Sequence, residues 1–236
     1  METTKIKKLR FDNSGYYFIG MIGLVLLGFW PSYFAKFVDG TANFALYFHF
    51  HATMISLWLA ALIIQPILIK QKKLPLHRLI GKLTYFLFPL VILSIILLAH
   101  SRHPFNQPDL GIRLFVPFKD IVIMSTAYII AIRYRHNVDI HARGMVATGI
   151  VFIEPALSRF LGNMMNGSDL SYFITIAIIY ALLITLIILE RRQKRGRWVF
   201  PLILGMYIAV HAVLIFGIHI PGWDAIAVWF AKLPIT

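Results

Sequence analysis

The sequence predicts an all-α integral membrane protein, a seven-transmembrane-helix bundle that forms one domain over residues 1–236. The chain is 59% hydrophobic and only 14% charged, whereas soluble domains carry about 25% charged residues. Its apolar residues also form seven runs long enough to cross a bilayer, which takes ~20 residues per helix. Because these runs are continuous and do not alternate with polar residues, they favour helices over a β-barrel.

The predicted helices follow one another along the chain. They cover residues 16–37, 46–69, 83–100, 114–133, 145–164, 170–189 and 199–219. The first apolar run is too long for a signal peptide and has no cleavage pattern, so we expect a retained helix. The fourth is the least certain span by composition because it contains Lys119 and Asp120. Residues 221–236 are too few to span and contain two tryptophans, which is typical of a helix at the membrane surface.

Lysine and arginine predict the orientation. They concentrate before the first helix and in alternate connections, and this bias accounts for most of the formal net charge of +13. Such an excess marks the cytoplasmic face. We therefore expect a cytoplasmic N-terminus and an outer C-terminus, in the cytoplasmic membrane of a bacterium. The same placement argues against nucleic acid as a partner: the segment RRQKRGR is interpreted as a topology signal that contacts anionic lipid headgroups.

Polar side chains inside the predicted helices indicate a site in the outer half of the bundle. Four of them come from four different helices and lie at a similar depth, and a fifth lies closer to the outer surface: His51, Asp120, Glu154 and His211, then Arg159. Ionisable groups at such depths are costly in hydrocarbon and are functional by default. The simpler alternative is that the Lys119–Asp120 and Glu154–Arg159 pairs only neutralise charge.

Helical spacing refines this picture. His51, Trp58 and Gln65 recur every seven residues and share one face of the second helix, whereas His49 lies about 200° away from His51. In the fifth helix Pro155 follows Glu154 directly and removes a backbone hydrogen bond, which predicts a kink beside the acid.

Three functions remain open. Haem b would take His51 and His211 as axial ligands, with Arg159 for a propionate. Zinc or iron would take His51, His211 and Glu154, and Glu154 or Asp120 would be the catalytic carboxylate toward a lipid-like substrate. We predict this haem- or metal-binding function. The alternatives are a transporter or proton relay through Asp120, Glu154 and His211, and an assembly or sensory subunit whose polar groups join helices.

Two segments carry a resemblance: KKLPLHRLIGKLTYF and DIHARGMVATGIVFIEPALSRF. With the preceding HFH helix they resemble a group of bacterial multi-pass membrane proteins of unknown function, over roughly residues 45–160. The matching positions are His51, Gln65, His77, Arg78, Gly81, Lys82, His141, Arg143 and Arg159. The chain departs from many of these relatives at Gly144-Met145, where they have an aromatic-Met pair. The resemblance implies the membrane topology and no particular reaction.

Both segments are basic where they begin. We expect His77, Arg78 and Lys82 before the third helix, and His141 and Arg143 before the fifth, to contact lipid headgroups on the cytoplasmic side.

Overall fold

The computed structural model describes residues 11–236, and every regular element in that range is helical. Seven helices are long and apolar enough to cross a membrane: α1 Ser14–Val38, α2 Leu46–Lys70, α3 Leu74–Arg102, α4 Leu110–Arg133, α5 Val138–Met164, α6 Leu170–Glu190 and α7 Val199–Phe216. A shorter helix, α8 Trp223–Ala231, follows them. The prediction of an all-α seven-helix bundle is confirmed. The basic segment METTKIKKLR lies outside the described residues.

Two helices, α3 and α5, begin at least seven residues earlier than predicted. Helix α3 begins at Leu74 because Pro75, in its first turn, needs no N–H partner there, so the segment LHRLIGK is part of the transmembrane helix itself. Helix α5 begins at Val138, where the Asn137 side chain accepts a hydrogen bond from a backbone N–H of the first turn. Helix α7 ends earlier than predicted because Gly217 adopts a left-handed conformation with φ 60°.

Helix α5 is interrupted beside its acidic residue, as the sequence predicted. The two regular parts end at Ile150 and resume at Ile153. Pro155 has no N–H to donate, and the next backbone bond, from Ala156 N to Phe152 O, is long at 3.4 Å. The interruption therefore lies within one turn of Glu154, whose side chain is buried inside the bundle.

Helix α5 is also the centre of the bundle. It packs against α1, α2, α4, α6 and α7, and 61% of its most apolar stretch is buried, compared with at most 39% in any other span. Its surroundings are therefore protein and only to a small extent lipid. This explains why it is the least apolar of the seven spans and can carry Glu154 and Arg143.

Close backbone contact brings α1 against this central helix. A Cβ atom at Gly28 would overlap the backbone carbonyl of Ala156, so only glycine permits the approach. The neighbouring Phe29 is then placed beside the second half of α5. This contact positions the ring on which Arg159 lies.

The bundle has two ends. The basic end holds connections 71–73, 134–137 and 191–198, and the opposite end holds connections 39–45, 103–109 and 165–169. Helix α8 lies at the opposite end against the start of α4, where Trp223 Nε1 donates a hydrogen bond of 2.8 Å to the Gly111 carbonyl. Trp229 on the same helix is exposed.

Candidate functional site

A buried charged network joins three helices in the half of the bundle nearer the opposite end. The Lys119 ammonium on α4 lies 2.7 Å from Glu154 Oε1 on α5 and 2.8 Å from Asp120 Oδ1. The second carboxylate oxygen of Glu154 lies 3.3 Å from His211 Nε2 on α7. Lys119, Glu154 and His211 are 3%, 5% and 1% exposed. Three of the residues predicted from the sequence, Asp120, Glu154 and His211, are therefore in one network, which we call the core network together with Lys119.

Tyrosine side chains surround the histidine of the core network. The Tyr180 hydroxyl lies 3.1 Å from His211 Nδ1. The rings of Tyr207 and Tyr172 lie 5.5 and 6.1 Å from the imidazole. The hydroxyl groups of these two residues are buried and have no hydrogen-bond partner among the described residues. His211 is thus in contact with a carboxylate on one side and with phenol groups on the others.

Of the two ion pairs considered from the sequence, only Lys119–Asp120 is present as a contact. Arg159 does not pair with Glu154, because five residues along a helix place them about 140° apart. Its Nη1 atom instead donates to the Pro155 carbonyl at 2.7 Å, and its guanidinium lies 4.6 Å from the centre of the Phe29 ring. Glu154 takes its cation from a different helix, which the sequence alone does not reveal.

The two histidines at the start of α2 have different partners, in agreement with their helical spacing. His51 Nδ1 lies 3.2 Å from the Ser94 hydroxyl on α3. His49 Nδ1 lies 2.9 Å from the Tyr33 hydroxyl, among the rings of Phe37 and Phe44. Neither histidine contacts Glu154 or His211 through a hydrogen bond.

The predicted metal-ligand set is not assembled. Within residues 11–236, no three His, Cys, Asp or Glu side chains lie together in a way that would hold a metal ion, and this includes His51, His211 and Glu154. In addition, both ring nitrogens of His211 are engaged, one by Tyr180 and the other by Glu154. To bind zinc or haem iron, His211 would first have to give up one of these two contacts.

Unpartnered polar atoms continue along α2 toward the basic end. Trp58 is fully buried against the stacked rings of Phe88 and Tyr128, and its Nε1 atom has no partner among the described residues. One helical repeat further, both side-chain atoms of Gln65 are also buried without a partner. Buried polar groups of this kind are rare and indicate a water molecule or a ligand.

Residues of the resembling segments surround Gln65. His77 on α3 approaches its backbone carbonyl, and the Nδ1 atom of His77 is buried without a partner. A Cβ atom at Gly81 would lie 3.7 Å from Gln65 Nε2, so the glycine leaves space beside the amide. His141 Nδ1 donates a hydrogen bond of 2.9 Å to the Ala131 carbonyl. His77 and His141 are thus half-buried and contact backbone carbonyls of the bundle; their contact with headgroups stays a prediction.

Arg143, predicted to contact headgroups, is buried against other side chains of the bundle. It is 1% exposed, and its guanidinium makes two contacts with the Glu190 carboxylate, 2.9 Å from Nε to Oε2 and 2.8 Å from Nη2 to Oε1. It also donates to Gln193 at 2.7 Å and to the Asp139 carbonyl. From the sequence, residues 190–197 were interpreted as a basic surface loop. Glu190 was therefore not recognised as an internal partner of Arg143. Arg78 and Lys82, in contrast, are exposed at the basic end.

Fold and site together define the class: a multi-pass membrane protein of seven helices with a charged network buried in its core. Comparison of the chain with protein-family models, with curated proteins and with solved structures gives no match in any of the three. Its function therefore has to be inferred from the contacts inside the bundle.

Proposed function

We propose that this membrane protein relays protons through the core network, either for transport across the bilayer or to supply a proton-coupled reaction. The observation that carries the proposal is the unbroken series of contacts from Asp120 through Lys119, Glu154 and His211 to Tyr180, with heavy-atom separations of 2.8, 2.7, 3.3 and 3.1 Å. Each neighbour can donate or accept a proton.

The charges of the core network support this proposal. Two carboxylates and one ammonium group have a net charge of −1 when all are ionised. A net charge in a buried site is costly, so the network favours one additional proton. His211 can hold that proton at Nε2, and the contact with Glu154 Oε2 provides the path by which it moves to the carboxylate.

A relay needs access from both ends of the bundle. Toward the opposite end the Asp120 side chain is 16% exposed, which allows water to reach the network. Toward the basic end the unpartnered atoms of Trp58, Gln65 and His77 provide places for bridging water molecules. In this proposal the face of α2 that carries Trp58 and Gln65 forms the part of the proton route nearer the basic end.

Reconstituted vesicles test the proposal. Purified protein is placed in liposomes with a pH-sensitive dye inside, and proton entry is followed under an imposed membrane potential. We expect flux from the unaltered protein and its loss in Glu154→Gln and His211→Ala. Glu190→Gln is the matched control, because it makes the same chemical change at a buried carboxylate outside the core network. All variants are compared as folded, monodisperse protein.

The same preparation tests the cofactor function predicted from the sequence. Absence of proton flux in the unaltered protein, together with a Soret band or stoichiometric zinc or iron that is lost in His211→Ala, would overturn the relay in favour of a haem- or metal-binding protein. Equal flux in Glu154→Gln and Glu190→Gln would also overturn it.

A further inference from the structure

A second group of cations lies at the opposite end of the bundle, outside the core network. Arg102 is the last residue of α3, and its guanidinium carbon lies 5.2 Å from the centre of the Phe48 ring on α2. Arg159 on α5 lies in the same way over Phe29 of α1. The two guanidinium groups lie within electrostatic reach of each other.

Neither arginine has a carboxylate partner in the described part of the chain. No ion pair joins Arg102 or Arg159 to an acid within 4.0 Å, and Asp120 acts on Arg159 only from a longer distance. Arg159 uses one N–H group, toward the Pro155 carbonyl, and Arg102 uses none. Most of their N–H donors are therefore free, and both side chains are exposed.

A histidine completes the group. The charge of Arg159 acts on His51, whose Nδ1 atom is engaged by Ser94 while its Nε2 atom has no partner in residues 11–236. Phe48 and His51 are three residues apart on α2 and so lie on the same side of that helix. The ring beneath Arg102 and the imidazole near Arg159 thus come from one helix turn.

Two like charges held together near a membrane, without an anion, are unfavourable. An aromatic ring lies within 5.2 Å of each guanidinium carbon, and most N–H donors of both groups remain free. Such free N–H groups are the ones through which arginine binds phosphate in paired hydrogen bonds. We propose that Arg102, Arg159 and His51 bind a phosphate group at the opposite end of the bundle.

The depth of the cluster fits a phosphate at the membrane interface. Arg102 ends its helix, and Arg159 is five residues before the end of α5, about 8 Å below it at 1.5 Å per residue. A phospholipid headgroup and a soluble phosphate compound both present such a phosphate, and the same donors suit both. This inference is independent of the proton relay.

Binding to delipidated protein distinguishes the two sources. Three probes are compared by native mass spectrometry and thermal shift: phosphatidylglycerol, phosphatidylcholine and inorganic phosphate. If either phospholipid binds and inorganic phosphate does not, the ligand is a lipid headgroup. If inorganic phosphate binds, the ligand is a soluble phosphate compound. Both results support the site if they depend on the arginines.

Arg102→Gln is the cleanest variant, because Arg102 makes no hydrogen bond whose loss would disturb folding. We expect Arg102→Gln to weaken phosphate binding by about tenfold, as for the loss of one charge-assisted interaction, and the Arg102→Gln, Arg159→Gln pair to abolish it. Arg113→Gln is the matched control: Arg113 is exposed at the same end, with one hydrogen bond to a backbone carbonyl. No binding of any probe, or equal binding in the double variant and Arg113→Gln, would overturn the proposal.

Discussion

Glu154 and His211 lie 3.3 Å apart, from Oε2 to Nε2, although 57 residues separate them in the chain. On its other oxygen Glu154 contacts Lys119 at 2.7 Å. One carboxylate thus contacts the ammonium group of a lysine on one side and the imidazole of a histidine on the other. Any proton that enters this part of the bundle changes the charge of the Glu154–His211 pair.

Removing the lysine should reveal how strongly the core network depends on it. We expect Lys119→Met to lower the free energy of unfolding by about 3–5 kcal/mol, because Asp120 and Glu154 then remain buried without their cation. Lys232→Met, which removes an exposed lysine at the same end, should change it by less than ~0.5 kcal/mol. Reversible denaturation in detergent measures both.

A second substitution tests whether Lys119 and Glu154 act as a pair. The cost of Lys119→Met combined with Glu154→Gln should be clearly less than the sum of the two single costs, since each single change leaves a charge unpaired. Additive costs would show that the 2.7 Å contact is not energetically important.

Arg143 should behave as an internal ion-pair residue. We expect Arg143→Gln to lower the free energy of unfolding by about 3–5 kcal/mol, because it leaves the Glu190 carboxylate buried and unpaired, with the same loss in neutral and in anionic detergent–lipid mixtures. Arg78→Gln, at the exposed surface of the same end, should have little effect on unfolding. A loss for Arg143→Gln that appears only with anionic lipid would instead support the headgroup role predicted from the sequence.

A substitution at Gln65 should affect proton flux without lowering the melting temperature. We expect Gln65→Met to leave the melting temperature unchanged or raised, because it removes two buried polar atoms that have no hydrogen-bond partner within residues 11–236. The same variant should reduce proton flux in vesicles, because it removes the groups that would hold water on the way to the basic end. Unchanged flux in a folded Gln65→Met would exclude this route.

The orientation is open to a direct test because the chain contains no cysteine. Single cysteines at Asn106 or Ser168, both exposed at the opposite end, should react in intact cells with a reagent that does not cross membranes. Cysteines at Lys73 or Arg192, exposed at the basic end, should react only after permeabilisation. The reverse pattern would place the core network in the cytoplasmic half.

The helices were predictable because the bilayer imposes one strong requirement, a long apolar stretch for every crossing. The errors fall where amphipathic segments extend a helix beyond its apolar part, at Leu74 and Val138. There Pro75 and Asn137, local signals for a helix N-terminus, were more informative than hydropathy.

Site residues were predictable individually, and their partners were not. Asp120, Glu154 and His211 stand out because charged and polar groups are rare in such helices. Which of them meet depends on helix rotation and on the order of helices around α5, and spacing along one helix reports neither. Lys119 was interpreted as the partner of Asp120 alone, and Glu190 was not considered as a partner for Arg143, because both contacts are between side chains on different helices.

The interruption of α5 at Val151–Phe152 divides this helix into two segments. Its first segment is fastened to the basic end by the Arg143–Glu190 ion pair. Its second segment carries both Glu154, at the core network, and Arg159, at the group of cations near the surface. Because Glu154 and Arg159 lie on the same helical segment, an occupant at Arg159 that displaced this segment would also change the distance from Glu154 to His211.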